Sequence, residues 1–179
     1  MPRVMEAVET PLSPVRIGKK VYNCGLDTGT SMTMLASDVA NDLKITPLVA
    51  DTLEIGTSTG RVNANPALID QLEIGQITVR NAPAMVVKET MMQMRETRPM
   101  EQSPQVKIDG IIGFDIIRQL DLEVDFSENS LRLRNPAASR PEGERNMFWV
   151  GLPVIRLEST DGIPLHFGLD TGALTSFVT

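Results

Sequence analysis

Two aspartates in this chain share one local context. The pentapeptide "GLDTG" runs from Gly25 to Gly29 and returns unchanged from Gly168 to Gly172, inside "HFGLDTGALTSFVT". Asp27 and Asp170 are therefore the first candidates for chemistry. Each follows an apolar strand-like stretch, and Leu26 and Leu169 are suited to anchor its end in a core. Glycine lets the backbone turn tightly, so that the carboxylate faces a cleft. The threonine hydroxyl can bond neighbouring backbone and lock the loop. One such carboxylate is a poor catalyst alone. Two held close together cannot both ionise, so they share a proton, one acting as base and the other as acid. Titration then belongs to the pair.

Other chemistries fall away on composition. His166 is the only histidine, which excludes a multi-histidine metal site and an HExxH motif. A Ser-His or Cys-His pair would have to use this one residue. It lies in "GIPLHFGLD", which alternates like a strand, so it reads as a strand histidine with a satisfied ring. The single cysteine, Cys24, excludes an intrachain disulfide, leaves the redox compartment open and reads as a small buried residue. No GxxxxGK[ST] is present to cradle phosphate. The net charge of -6 gives no basic footprint, so nucleic acid is not an expected partner. No apolar run approaches the roughly 18 to 20 residues of a membrane span. The opening "MPRVMEAVETPLSP" lacks the apolar core of a signal peptide, which leaves the compartment unknown.

The elements that must hold the two aspartates read mostly as short strands. At 179 residues, with 41% hydrophobic and 22% charged residues, the chain fits one globular domain, or one plus part of another. "SPVRIGKKVYNCGLD" predicts a hairpin around Gly18-Lys19-Lys20. "DTLEIGTSTGRVNANPALIDQLEIGQITVRNAPAMVV" predicts further strands broken at Gly56, Gly60, Gly75 and Asn81-Ala82-Pro83. In "LDLEVDFSENSLRLR", Leu120, Leu122, Val124 and Phe126 alternate with polar residues, then Leu131 and Leu133 do so after a turn. "SDVANDLKI", with Ser37 or Asp38 as N-cap, and "FDIIRQL" suit short helices. The methionine-rich "KETMMQMRETRPMEQSPQ" reads as a long solvated loop. "RNPAASRPEGERN" has the composition of an interdomain linker. Beyond it, "VGLPVIRLESTDGIPLHFGLDTG" repeats the order of "PLSPVRIGKKVYNCGLDTG": strand, turn, strand, pentapeptide. Such a repeat weighs more than any single motif.

The order of motifs resembles the retropepsin-like aspartic protease family, especially its bacterial members. The residues that carry the resemblance are "DTGTSMTML" after Leu26 and "IDGIIGFDIIRQLDLEVDFSENSLRL" some eighty residues on. It runs from about Leu12 to Arg134 and restarts near Leu152. It implies a mostly β fold: a closed β-barrel lobe with one or two short helices, plus the start of a second similar lobe. It assigns Asp27 and Asp170 as the catalytic pair. Thr28, Gly29 and Thr30 support the first loop, and Thr171, Gly172 and Ala173 the second. Thr57, Ser58, Thr59 and Gly60 fall at the tip of the flap hairpin. Ile111-Ile112-Gly113 matches an apolar-apolar-Gly element that packs beneath the catalytic loop.

The resemblance divides the chain into a protease domain at 1–135, a linker at 136–148 and the beginning of a second unit at 149–179. The implied function is an aspartic endopeptidase acting on a peptide or protein substrate. It requires no metal and no other cofactor. The alternative is a non-catalytic peptide-binding or dimerisation module on the same fold. The family's site needs two DTG loops, from one chain or from two identical subunits. The second unit has no flap or apolar-apolar-Gly segment of its own. The expectation is therefore a piece of a protein of roughly 300 residues, with a homodimer through the DTG loops as the other possibility.

Overall fold

The computed structural model describes residues 11–57, 60–92, 107–125, 127–128, 130–136 and 145–173. Strands β1 (Leu12–Ile17) and β2 (Lys20–Leu26) form the expected hairpin, in register from Leu12↔Gly25 to Ile17↔Lys20. Its two-residue connection needs a left-handed residue, and Gly18 takes φ +62 there without steric cost. Side-chain alternation puts Val15 and Ile17 of β1, and Tyr22, Cys24 and Leu26 of β2, into the core.

Strand β3 (Met34–Ala36) leads into helix α1 (Ser37–Asp42). The N-cap is Ala36, one residue before the expected Ser37, and no side chain caps it; Asp38 instead accepts from the Val39 N–H at 2.9 Å. Strands β4 (Leu53–Thr57), β5 (Gly60–Ile74) and β6 (Ile77–Val87) follow.

Two of the expected breaks do not occur. Gly56 lies inside β4, and Asn81-Ala82-Pro83 lies inside β6, because the β5–β6 register continues unshifted from Asn65↔Val86 to Ile74↔Ile77. Asn81 absorbs a φ of +51, a conformation asparagine tolerates. Pro83 stands where β6 is flanked by β5 alone, since β3 pairs only with Met85 to Val87, so its missing N–H interrupts no second ladder.

A short 3-10 turn at Glu89–Met92 buries Met92 at the start of the methionine-rich segment; Met94 and Met100 of that segment lie outside the described residues. Strand β7 (Gly110–Ile112) and helix α2 (Phe114–Ile117) come next.

A seven-stranded sheet in the order β1-β2-β7-β3-β6-β5-β4 closes on itself where β1 pairs β5, from Val15↔Ile74 to Ile17↔Leu72. Six strands thus close into a barrel, with β4 left at the edge beside β5, and enclose Val15, Leu26, Leu35, Ile69, Leu72, Ile74 and Ile112. The mostly β, closed-barrel fold with two short helices is thus borne out. Strands β8 (Asp121–Asp125) and β9 (Ser130–Arg134) form the predicted hairpin, and Leu122, Leu131 and Leu133 lean on the barrel core. Phe126 lies outside the described residues.

The rest of the described chain is a three-stranded sheet of β10 (Met147–Trp149), β11 (Pro153–Glu158) and β12 (Pro164–Gly168). β10 begins within the stretch expected to be linker. The β11–β12 hairpin repeats the first one: Val154↔Gly168 stands where Leu12↔Gly25 stands. Leu169 N–H donates to Pro153 O at 2.8 Å, as Leu26 N–H donates to Pro11 O at 2.8 Å. Burial differs. Cys24 and Leu26 are 0% and 1% exposed, whereas their counterparts Phe167 and Leu169 are 37% and 42% exposed. The first hairpin is flanked by β5 and β7; among the described residues the second has only β10 beside it.

Candidate active site

Asp27 follows the last residue of β2, and its loop is supported from below. β7 runs parallel to β2, pairing Gly25 with Ile111 and Leu26 with Ile112. Asp27 N–H then donates to Ile112 O at 3.1 Å, and Phe114 N–H donates to Thr30 O at 2.8 Å. Between them, Gly113 N–H donates to the Thr33 hydroxyl at 3.2 Å, and that hydroxyl donates to Asp115 at 2.9 Å. A Cβ on Gly113 would lie 2.6 Å from the Met32 carbonyl carbon and 2.8 Å from Thr33 N. Ile111-Ile112-Gly113 therefore lies directly against the loop that carries Asp27.

Asp170 follows β12 by one residue, and the structure brings its loop to face the first. The bonding is reciprocal. Thr28 Oγ1 donates to Leu169 O at 2.7 Å, and Thr171 Oγ1 donates to Leu26 O at 2.7 Å. Each threonine oxygen also accepts the other threonine's backbone N–H, both at 3.0 Å. Thr28 is buried, so these bonds replace water that neither group can reach. The DTG glycines admit the close approach. A Cβ on Gly29 would run into the Asp170 carboxyl, and one on Gly172 would lie 2.7 Å from Asp27 Cγ.

Within each loop a backbone N–H holds one carboxylate oxygen: Gly29 N–H to Asp27 Oδ1 at 2.8 Å, and Gly172 N–H to Asp170 Oδ1 at 2.8 Å. The loops differ at the fourth residue. Thr30 donates its hydroxyl to Asp27 Oδ2 at 2.6 Å, whereas Ala173 offers Asp170 no hydroxyl. The Asp170 carboxyl is raised above the ordinary aspartate range. Desolvation against the first loop is the leading cause, and the charge and hydrogen bonding of Asp27 add to it. Bonds from the Gly172 and Ala173 backbone act in the opposite direction.

The flap expectation falls partly on described residues. Thr57 and Gly60 pair at the end of the β4–β5 hairpin, with the Thr57 hydroxyl donating to Gly60 O at 2.9 Å. Ser58 and Thr59, between them, lie outside the described residues. Cys24 is buried in the core, and burial pushes its thiol up to about 12, so it is no nucleophile near neutral pH. His166 lies on β12 opposite Arg156 and is exposed.

Contacts that the motif reading did not anticipate join the β10–β12 sheet to the barrel. The Ser31 hydroxyl donates to Gly151 O at 2.6 Å. The Trp149 ring stacks on Phe114, with centroids 5.0 Å apart and planes at 19°, and the Arg118 guanidinium lies 5.9 Å from the centre of the Trp149 ring. Trp149 is the chain's only tryptophan and stands shortly before the repeated unit, the one signal in the sequence that pointed to it.

No curated protein matches the chain. Among solved structures it is similar to a retropepsin-like aspartic protease from Rickettsia conorii, at 16% identity and a TM-score of 0.44, covering 68% of this chain and 86% of that one. The family model described as aspartyl protease matches residues 13–116, a span that runs from β1 through β7 into α2 and includes the first DTG loop and Ile111-Ile112-Gly113. That match extends over more than half of the chain, which belongs to the aspartyl protease family.

Proposed function

We propose that the protein is an aspartic endopeptidase whose two catalytic carboxyls, Asp27 and Asp170, come from one chain. In this reading residues 1–135 form one lobe, 136–148 a linker and 149–179 the beginning of a second. The reading is carried by the reciprocal hydrogen bonding of the two DTG loops, which sets the carboxyls against each other's glycines. Two carboxyls so close share one proton, the arrangement familiar from aspartic proteases in general.

The asymmetry of the loops supports one assignment of the proton. Asp27 accepts two hydrogen bonds, from Gly29 N–H and the Thr30 hydroxyl. Asp170 has the desolvated, raised carboxyl, which in this reading makes it the proton carrier. A water between them loses a proton to Asp27 while its oxygen adds to the scissile carbonyl carbon. Asp170 donates its hydrogen bond to the carbonyl oxygen as negative charge develops there. Collapse of the tetrahedral intermediate breaks the C–N bond, and the proton held on the dyad goes to the leaving amine. The substrate lies extended, pairing its backbone with the β4–β5 hairpin in strand fashion. Thr28 and Thr171 hold the loops, with Ile111, Ile112 and Gly113 backing the first.

Cleavage of casein, with and without pepstatin, tests the assignment. Pepstatin-sensitive cleavage that vanishes in a folded Asp27→Asn variant is expected. Cleavage at an undiminished rate in that variant would overturn it.

A further inference from the structure

Trp149 touches both halves of the site at one remove. On one side its ring stacks on Phe114, whose backbone N–H donates to Thr30 O, and Thr30 in turn holds Asp27. On the other side Trp149 pairs with Pro153 across β10–β11, and Pro153 O accepts the N–H of Leu169, the residue before Asp170. Trp149 thus links the helix that backs the first loop to β11, whose Pro153 O accepts from the residue before Asp170. Arg118 lies over the same ring, a cation–aromatic contact that only a planar electron-rich side chain can supply.

Besides the threonine bonds, the Ser31 hydroxyl's bond to Gly151 O also ties the β10–β12 sheet to the barrel, at the β10–β11 turn. Among the described residues its hairpin lacks the flanking strands that bury the first hairpin, and Phe167 and Leu169 are exposed. The two facing threonines bond each other's loops at a single locus, where bonds resist separation of the loops better than rotation about their meeting point. The Trp149 stack engages a different element, Phe114 of α2, and so supplies a second point of attachment against rotation.

We propose that Trp149 is a positioning residue that clamps the β10–β12 unit onto α2 and so sets how closely Asp170 approaches Asp27. This rests on the reading of Asp27 and Asp170 as a pair. The stack acts as an anchor for geometry, made between residues of the chain itself. Losing it leaves the barrel intact, because Trp149 is 44% exposed and lies outside the core. The second loop then samples rotated positions in which Asp170 no longer faces Asp27. The groups acting on the Asp170 carboxyl are the Asp27 carboxyl and the backbone N–H groups of Gly172 and Ala173, so loss of the approach is read at Asp170 itself.

The test is a carboxyl-carbon NMR titration of Asp170 in the full 179-residue chain, which needs no turnover. Wild type, Asp27→Asn, Trp149→Ala and Trp149→Phe are compared. Asp27→Asn should lower the Asp170 midpoint toward the ordinary aspartate range, because the neighbouring charge is gone. Trp149→Ala should lower it in the same direction with the melting temperature of the barrel unchanged, and Trp149→Phe, which keeps a stacking ring, should stay near wild type.

A shift in Asp27→Asn with none in Trp149→Ala would overturn the clamp and leave the pair standing. So would a Trp149→Phe curve displaced as far as that of Trp149→Ala. No shift in Asp27→Asn would overturn the pair, and the clamp with it. Arg118→Gln offers a check that leaves the tryptophan in place. The chain has one tryptophan, so its indole fluorescence should change with the lost contact. An unchanged spectrum would count against a stacked, cation-covered ring.

Discussion

Replacing Gly113 by alanine tests whether the element under the first loop is built for close contact. The added Cβ would stand 2.6 Å from the Met32 carbonyl carbon, 2.8 Å from Met32 O and 2.8 Å from Thr33 N. Carbon atoms in ordinary contact lie roughly 3.5–4.0 Å apart, so the two backbones must separate by about 1 Å. Neither is free to move. Gly113 O accepts from the N–H groups of Ile116 and Ile117 at 3.2 and 3.0 Å, while Thr33 O accepts from Met85 N–H at 2.9 Å. Backbone conformation is not the obstacle, since Gly113 has φ -84 and ψ 178, which any residue adopts. In open space such a change would stabilise by about 0.4–1 kcal/mol through the unfolded chain. Overpacking against fixed backbone costs about 1–3 kcal/mol and reverses the sign. For a protein of this size a net loss near 2 kcal/mol lowers Tm by roughly 4–8 °C. Gly56→Ala is the control, because nothing lies within 4 Å of its Cβ position. Thermal unfolding by circular dichroism decides the matter. A Tm for Gly113→Ala equal to or above wild type, with Gly56→Ala also neutral, would refute the packing argument.

Thr28→Val keeps shape but strips the Leu169 carbonyl of its donor and the Thr171 N–H of its acceptor; it should destabilise by about 1–3 kcal/mol in chemical denaturation. Thr30→Ala removes the hydroxyl from Asp27 Oδ2 and should lower kcat/KM roughly 10-fold, with Thr30→Ser restoring most of it, in a peptide-cleavage assay. Stability should also depend on pH through Asp170. Its folded-state carboxyl is raised, so the folded protein holds a proton that the unfolded chain has released. That contribution is fully present below the ordinary aspartate value of the unfolded chain and is lost as pH rises from there through the raised folded-state value. Tm should accordingly fall across that interval in wild type and fall less in Asp170→Asn.

Much of this architecture could be read from residue order, for reasons that particular elements make plain. The β1–β2 and β8–β9 hairpins were legible because strict alternation met a turn signal, Gly18 in one and Ser127–Ser130 in the other. The loops at Asp27 and Asp170 were legible because an exact repeat is improbable without a shared structural demand. The β5–β6 ribbon was not. Asn81 and Pro83 are turn residues by local preference, and the continuous pairing with β5 outweighs that preference. The asymmetry between Thr30 and Ala173 was present in the letters, but its meaning needed the 2.6 Å bond to Asp27 Oδ2. Trp149 was hidden for another reason. Its partners Phe114 and Arg118 are remote in sequence, and no periodicity links a strand residue to a helix more than thirty residues away.

The claim that one chain supplies both carboxyls is tested most directly by the peptidase activity per molecule of Asp170→Asn across a dilution series, beside wild type. If Asp170 is the partner of Asp27, wild-type specific activity is independent of protein concentration and Asp170→Asn is inactive at every concentration. If two copies of the first loop form the site instead, dissociation lowers the activity on dilution. Full activity in Asp170→Asn, falling as the protein is diluted, would contradict the account and show a homodimer built on Asp27 alone.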